Sequence, residues 1–311
     1  MKLLDQYIAK LTKLNRGVTQ YGKAPHKPVF LLAILDEIEQ GRITENKVYI
    51  TPELVATFKD NFALLVDTPH KADFIQPFHY LQGDKFWFVQ GKDNQLVSTF
   101  IRSFNILNEK VDFGFFDDDL FMLLAQANTR DIIKVVLLDT FFPTTKAQYL
   151  QNKGKGGYSQ DIEQSILQDS PTPYSLPTTD EEEQFVRGGL FKKLIPQVYG
   201  FTCAISGMKV ISNHGFLFID ACHIVPFSVS KNDTVGNGIA LCPNLHRAFD
   251  RGLIGVDTDY KVLVSNAFAE NENNPYSLKA LAGKPITLPF GEIHYPKKEN
   301  FEWHLANVFK A

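Results

Sequence analysis

Four polar side chains in the second half of the chain have the types and the spacing needed for metal-assisted hydrolysis. His246 and Asp250 are four residues apart, so on a helix both project from one face and could hold one divalent cation. A neutral imidazole at His223 could accept a proton from water while the cation neutralises charge that develops on a phosphate. Asn237 could orient that imidazole through the ring nitrogen that is not acting as base. The set predicts phosphodiester hydrolysis with His223, Asn237 and His246 as catalytic residues.

The sequence around these positions predicts the elements that would hold them. Residues 218–223 read as a strand that ends at the histidine, followed by a polar loop, a second strand over 238–242 and a short helix with Asn244 as its N-cap. Strand alternation places Asp220 and Cys222 on one face. Asp220 is the predicted third metal ligand, because sulfur is an unusual ligand for Mg²⁺ or Mn²⁺. Cys222 remains the alternative.

Each of these residues has a simpler interpretation when it is taken alone. A histidine at a strand end is usually a hydrogen-bonded or exposed polar residue. A histidine and an aspartate four apart on a helix are commonly a surface pair. The functional interpretation therefore depends on the whole set and its order.

The segment resembles the HNH nuclease family, whose site lies in a ββα-metal fold. From His223, the asparagine follows after 14 residues, the second histidine after a further 9 and the aspartate after a further 4. Residues 203–207 and 249–253 are similar to the restriction-type subgroup. The resemblance covers about residues 185–311 and implies a general base, a positioning asparagine and two metal ligands. It implies one divalent ion per site, Mg²⁺ or Mn²⁺ first, with Zn²⁺ or Ni²⁺ as alternatives.

The first 150 residues predict a compact, mostly helical module. Pro28 should begin the second helix and Gly41 should end it. Apolar residues recur at helical spacing elsewhere, and turn residues bracket one strand-like piece. The predicted helices cover residues 3–11, 29–38, 118–127 and 129–141, and the predicted strand covers 85–89.

Three runs in this module resemble the sulfur-binding domain of phosphorothioate-dependent restriction endonucleases. They are residues 24–32, 76–82 and 84–87, and the resemblance spans about residues 5–145. That family joins such a domain to an HNH nuclease, which is the order in this chain. The resemblance implies that double-stranded DNA is bound by His26, Lys27, Pro77 and Arg102.

A sulfur atom on the phosphate is larger and less strongly hydrated than oxygen. A shallow apolar pocket edged by a proline ring, with cations nearby for the phosphate charge, could therefore prefer it. Two positions depart from the family's pattern: Gln76 stands where an aromatic residue is expected, and Lys27 where arginine is common, which loses a bidentate contact. A modified cytosine or an unmodified sequence remains an alternative target, and Pro77 could simply form a turn before a buried Phe78.

The distribution of charge favours DNA binding although the total does not. The 311 residues carry 32 basic and 35 acidic side chains, a formal charge of −3. Residues 6–35 nevertheless contain five lysines and arginines and no acid, and residues 184–219 form a second acid-free window. Phosphate binding needs a local positive potential rather than a net charge. The alternative interpretation of each window is a solvated helix face.

These features together predict an α+β chain of two domains. A mostly helical DNA-recognition domain is expected over residues 1–150, a polar linker over 151–184 and a ββα-metal nuclease domain over 185–311. No apolar run is long enough to span a membrane and the start lacks a signal peptide, so a cytoplasmic protein is expected. Its three cysteines are expected to be buried thiols rather than a disulfide framework or a structural zinc site.

The predicted function is a DNA endonuclease of restriction or defence type that cuts modified DNA. The alternative is an ordinary restriction enzyme that reads an unmodified sequence. Because one such site cuts one strand, a double-strand break favours a homodimer.

Overall fold

The structure is a computed structural model that describes residues 2–168, 180–212, 217–271 and 274–311. Its contacts divide the chain into two compact units. The N-terminal unit comprises residues 2–161 with Asp180–Val186, and the C-terminal unit comprises residues 162–168 with Arg187–Ala311. The predicted α+β class is confirmed, since helices alternate with small two-stranded sheets. The domain limits at 150 and 185 stay a prediction, and the range 151–184 contains regular helix as well as connecting residues.

The chain begins with a mainly helical series of elements, in which β1 pairs with β2 and β3 with β4, both antiparallel. The elements are α1 Lys2–Leu11, β1 Val18–Thr19, β2 Gly22–Lys23, α2 His26–Glu39, α3 Pro52–Leu65, α4 Ile75–Tyr80, β3 Trp87–Gly91, α5 Phe104–Lys110, β4 Val111–Phe116, α6 Asp118–Ala125, α7 Ala127–Phe141, α8 Lys146–Asn152 and α9 Tyr158–Leu167. A short 3₁₀ helix, Leu81–Asp84, joins α4 to β3.

The second part of the chain contains shorter elements, with β5 paired to β6 and β7 to β8, again antiparallel. The elements are α10 Glu181–Val198, β5 Asp220–His223, α11 Phe227–Ser230, β6 Gly238–Leu241, α12 Pro243–Asp250, β7 Ile254–Val256, β8 Val262–Val264 and α13 Lys298–Asn307. Among the described residues, no helix combines the length and the apolar character needed to cross a membrane.

An aromatic core holds the N-terminal unit together. Helix α2 is buried on nearly every face, which explains why its apolar run lacks a polar stripe. Phe30 on this helix packs edge-on against Phe74, Phe78 and Trp87, with ring centroids 5.5–5.8 Å apart. The Trp87 indole donates to the Phe78 carbonyl at 2.8 Å, so the polar atom of this buried ring is satisfied. This core fixes α4, which borders the cavity described below.

The acidic run that begins at Asp180 and continues through the first turn of α10 is held by hydrogen bonds and ion pairs within the N-terminal unit. The Lys59 ammonium lies 2.7 Å from the Asp180 carboxylate and 3.3 Å from that of Glu182. Glu181 accepts hydrogen bonds from the Ser103 hydroxyl at 3.0 Å and from the Asn105 amide at 3.1 Å. Glu182 also accepts from the amide of Phe74, the residue before α4, at 2.8 Å. Burial raises the pKa of Glu182 to about 7, outweighing the attraction of Lys59.

The C-terminal unit contains the predicted strand, loop, strand and helix in order. Strand β5 pairs with β6 so that His223 faces Gly238 across the ladder, and α12 follows directly. A Cβ atom at Gly238 would lie 2.2 Å from Ile195 Cδ1 on α10, so this close approach requires glycine. The predicted N-cap Asn244 is wrong. The N-cap is Cys242, because Pro243 takes the first helical position, where its fixed φ suits a helix start.

Candidate functional site

The two strands and α12 bring four predicted residues together. Asp250 Oδ2 lies 3.4 Å from Nε2 of His246, one turn earlier on α12. Asp220 Oδ2 lies 3.2 Å from the other ring nitrogen, Nδ1. The side chain of Cys222 joins the same group, because its sulfur and the nearest ligand atoms of His246 and Asp250 all lie within 4.8 Å of one another. Asp220 and Cys222 share one face of β5, as strand alternation predicts.

The donor set suits a hard divalent cation, with one exception. The side chains of Asp220 and Asp250 are partly exposed to solvent and offer carboxylate oxygens, and His246 offers an imidazole between them. Cys222 is fully buried, and desolvation together with nearby Asp250 raises the pKa of its thiol well above the usual value. The protonated thiol donates to Asp250 Oδ1 at 3.7 Å. Cys222 therefore fits as a partner that orients Asp250, which leaves oxygen and nitrogen atoms as the candidate ligands.

His223 faces the same cleft from the end of β5. A cleft of about 350 Å³ is lined by His223, His246 and Asp250 together. The His223 ring stacks on Phe191 of α10, with centroids 3.9 Å apart and planes 7° from parallel. Burial lowers the pKa of His223 to about 4, so the imidazole is neutral near pH 7. Its Nε2 atom is buried and has no hydrogen-bond partner among the described residues.

Among the described residues, the Asn237 side chain forms no hydrogen bond with the His223 ring, so the direct hydrogen bond predicted between them is wrong. Its side chain is fully buried and closes the loop that follows β5. Oδ1 accepts from the Val225 amide at 2.9 Å, and Nδ2 donates to the Val225 and Asn232 carbonyls, both at 2.9 Å. The backbone carbonyl of Asn237 accepts from the Ile224 amide at 2.9 Å, directly after the histidine. Asn237 therefore positions the chain that carries His223.

The second acid-free window is not a continuous phosphate-binding surface. Arg187, its first cation, is 2% exposed and forms a bidentate pair with Asp233, with contacts of 2.6 and 2.9 Å. Its charge is neutralised inside the C-terminal unit. The sequence window misses this pairing because the acid lies 46 residues away. Lys192 and Lys193, later in the window, are exposed.

A cavity of about 570 Å³ in the N-terminal unit gathers three of the four predicted DNA-binding residues. His26 and Lys27 line it from the start of α2, and Pro77 lines it from α4. Pro77 is a buried helical residue rather than part of a turn, while Phe78 beside it belongs to the core. Arg102 is exposed on the segment before α5 and does not line this cavity.

His26 and Lys27, the adjacent basic pair among the predicted DNA-binding residues, carry little free charge. The Lys27 ammonium donates to the Asp84 carboxylate at 2.6 Å and to the Asn15 carbonyl at 2.5 Å, and the side chain is mostly buried. His26 Nε2 lies 2.8 Å from the Lys71 carbonyl, which can only accept, so Nε2 carries the proton. Burial lowers the pKa of His26, which makes the imidazole neutral. The pair shapes the cavity more than it charges it.

Tyr80, which the sequence interpretation missed, supplies the aromatic side chain that was expected at the position of Gln76. Gln76 lines the cavity but donates from Nε2 to Asp73 Oδ2 at 3.1 Å. Four residues later, Tyr80 lines the same cavity and stacks on Phe100, with centroids 5.1 Å apart and planes 20° from parallel. Helical spacing of Tyr80 from Gln76 was the signal that could have found it.

The β5–β6–α12 arrangement, with histidines from both the strand and the helix, is that of a ββα nuclease domain. Residues 203–257 match the family described as HNH endonuclease, and residues 4–157 match the family described as ScoMcrA-like, DNA sulfur-binding domain. The chain thus has a region similar to the DNA sulfur-binding domain family, followed by a region similar to the HNH endonuclease family. Both predicted resemblances are confirmed.

One solved structure similar to this chain is described as "Modification dependent TagI restriction endonuclease", with 21% sequence identity and a TM-score of 0.31. The match covers 40% of this chain and spans 39% of the length of that structure. No curated protein gives a significant match to the sequence.

Proposed function

We propose that the protein is a DNA endonuclease of restriction or defence type that recognises phosphorothioate DNA and hydrolyses its phosphodiester bonds. The observation that carries the proposal is the cleft in which a neutral His223 faces the His246–Asp250 pair. A neutral base beside a carboxylate and imidazole cluster is the combination that phosphodiester hydrolysis needs. The sulfur-binding domain in the same chain supplies a means of selecting DNA.

His246 and Asp250 would hold one divalent cation, Mg²⁺ or Mn²⁺ first. When bound, such a cation neutralises charge on the phosphate and on the leaving oxygen. Asp220, at the opposite ring nitrogen, would either complete the ligand set or accept the Nδ1 proton and so fix the tautomer of His246. Cys222 would keep Asp250 in place through its thiol proton.

His223 would take the proton from the attacking water. Because Nε2 is buried, Nδ1 is the ring nitrogen left to receive it. The stack on Phe191 holds the plane of the ring, and Asn237 holds the backbone that follows it. Arg247 and Arg251 are exposed beside the cluster and would contact phosphates on either side of the cut.

The cavity in the N-terminal unit would receive the modified phosphate. The Pro77 ring, Ala24 and Tyr80 give it apolar wall, which suits a weakly hydrated sulfur better than a phosphate oxygen. A second candidate, a reader of modified cytosine or of plain sequence, is favoured by the polar Gln76 at this wall. Action on cytoplasmic DNA and cleavage of both strands by a homodimer belong to the same proposal.

The proposal is tested by cutting one duplex in four forms: plain, with phosphorothioate links, with methylcytosine and with hydroxymethylcytosine. With Mg²⁺ or Mn²⁺, the phosphorothioate duplex should be cut fastest, and His223→Ala should abolish cutting. His294→Ala removes a histidine of the same unit that does not line the cleft, and it should cut normally. Equal cutting of all four duplexes contradicts sulfur selection. Undiminished cutting by His223→Ala contradicts the assignment of the base.

A further inference from the structure

The charge inventory of the N-terminal cavity leaves two basic side chains with free charge. Five basic residues line it, and three of them contribute little: Lys27 is paired with Asp84, while burial lowers the pKa of both His26 and His79. The remaining two are Arg16 and Lys85. A DNA phosphate brought to this cavity needs a cation, and neither of these residues belongs to the basic pair that the sequence indicated.

Lys85 stands in an unusual backbone conformation at the edge of the cavity. Its φ and ψ angles are 63° and 23°, in the left-handed region, where a non-glycine residue is uncommon. Its amide closes the 3₁₀ helix by donating to the Gln82 carbonyl at 3.2 Å. Such conformations persist where the surroundings impose them, and they concentrate at functional sites.

The residues on both sides of Lys85 are held firmly. Asp84 accepts from the Asn15 amide at 2.7 Å and from the Lys27 ammonium at 2.6 Å. Phe86 is fully buried on the other side. Between these two fixed points, the Lys85 side chain is exposed at the cavity, and its ammonium has no acidic partner in the described part of the chain. The turn therefore presents an unneutralised cation.

Arg16 lies beside the same cavity in a different setting. Its guanidinium rests over the Phe141 ring, 4.6 Å from the centroid, which fixes the group without neutralising its charge. Its five N–H donors form no ion pair with an acid in the described chain.

We propose that Lys85, assisted by Arg16, is the cation that contacts DNA phosphate at this cavity, while Lys27 serves to hold the turn that carries Lys85. The inference rests on the proposed DNA-binding function of the cavity. The ion pair with Lys27 holds Asp84 in place, and Asp84 in turn fixes the turn that exposes Lys85 at the cavity. Lys27 and Lys85 thereby have separable roles that different measurements can distinguish.

The test measures binding of the full chain to a phosphorothioate duplex over a series of salt concentrations, with a chelator present to prevent cutting. Lys85→Asn removes the charge, and asparagine tolerates the left-handed conformation, so the melting temperature should not fall. Affinity should drop about 5–10-fold, and the slope of log affinity against log salt should decrease by about 0.9, the value of one lost phosphate contact. Arg16→Gln should act in the same direction.

Two controls separate the roles. Lys110→Gln removes an exposed lysine of the same unit that does not line the cavity, and it should change neither quantity. Lys27→Met should lower the melting temperature, because it leaves the mostly buried Asp84 without its cation. In the DNA-binding measurement, the folded Lys27→Met protein should keep the wild-type slope of log affinity against log salt.

Each outcome has a clear meaning. If Lys85→Asn binds with wild-type affinity, or if it weakens binding without changing the salt slope, the inference is overturned and the proposed function stands. If Lys27→Met rather than Lys85→Asn lowers the slope, the basic pair carries the contact and the inference is again overturned. If the unaltered protein binds neither the phosphorothioate duplex nor its plain counterpart, the proposed function itself fails.

Discussion

Replacement of Asn237 by alanine distinguishes a residue that holds the fold from one that takes part in the reaction. The buried side chain satisfies the amide and the carbonyl of Val225 and the carbonyl of Asn232. Asn237→Ala leaves the Val225 amide and the Asn232 carbonyl without these partners, whereas the Val225 carbonyl keeps a hydrogen bond of 3.3 Å from the Ser230 hydroxyl. Each of these two unsatisfied buried groups costs about 1–3 kcal/mol, and allowing for partial rescue by water, the free energy of unfolding should fall by roughly 2–4 kcal/mol. That is a large part of the stability of an ordinary domain.

The assay combines denaturant unfolding with peptide-resolved hydrogen exchange. Asn237→Ala should lower the unfolding midpoint of the C-terminal unit and speed exchange over residues 220–241, because the loop and the strand pair lose their shared anchor. Asn244→Ala is the matched control, since Asn244 is exposed on α12 and its truncation should cost little. Cleavage by Asn237→Ala should fall in parallel with the folded fraction.

A different result would refute this reasoning. If Asn237→Ala unfolds at the wild-type denaturant concentration and exchanges normally, yet cuts DNA a hundredfold more slowly or worse, the amide acts on the reaction. The hydrogen bonds to Val225 and Asn232 would then be incidental, and the orienting role expected from the sequence would return.

Three further predictions concern pH, packing and metal. Between pH 4.5 and about 7 the Glu182 carboxyl is protonated in the folded protein and ionised in the unfolded chain. Its contribution to the free energy of unfolding therefore falls by roughly 3 kcal/mol as the pH rises through this range. Glu182→Gln should flatten that part of the plot of melting temperature against pH, and parallel wild-type and variant plots would contradict this account. Gly238→Ala should cost about 1–3 kcal/mol, because the new Cβ atom would press on Ile195 of α10. Ile195→Val removes the closest atom, Cδ1 at 2.2 Å, but keeps Cγ1 at 2.8 Å, so it should restore part of the lost stability in a thermal melt. A double variant no more stable than Gly238→Ala would contradict this cause. In a thermal shift assay, Mn²⁺ at about 100 times its dissociation constant should stabilise the wild type by about 2.7 kcal/mol. The same concentration should not stabilise Asp250→Asn. Equal shifts for the two proteins would show that the ion does not bind at this cluster.

The sequence predicted the elements of the nuclease unit because its informative residues are close together in the chain. His246 and Asp250 share a helix face by spacing alone, and Asp220 reaches them from a strand of recognisable pattern. The sequence did not predict in the same way that α10 contributes a ring to the site. Nothing in the sequence near Phe191 indicates that its ring covers His223, because the two lie 32 positions apart and meet only after folding.

The errors have a common physical cause, which is pairing between residues distant in sequence. Counting acids within a window could not reveal that Asp84 neutralises Lys27 or that Asp233 neutralises Arg187, at separations of 57 and 46 residues. The role expected for Asn237 failed for a related reason. Its partners are backbone groups, which have no signature in the sequence, and a loop carbonyl competes for an amide as well as an imidazole does.

The three cysteines provide a natural probe for opening of the C-terminal unit. Cys203, Cys222 and Cys242 are all buried, and all belong to that unit. A thiol reagent added to the native protein should therefore react only when the C-terminal unit opens, while opening of the N-terminal unit should give no reaction. The rate of labelling would then measure the stability of one unit inside the intact chain, without any substitution in the sequence. DNA bound to the other domain would slow that rate only if the two domains communicate.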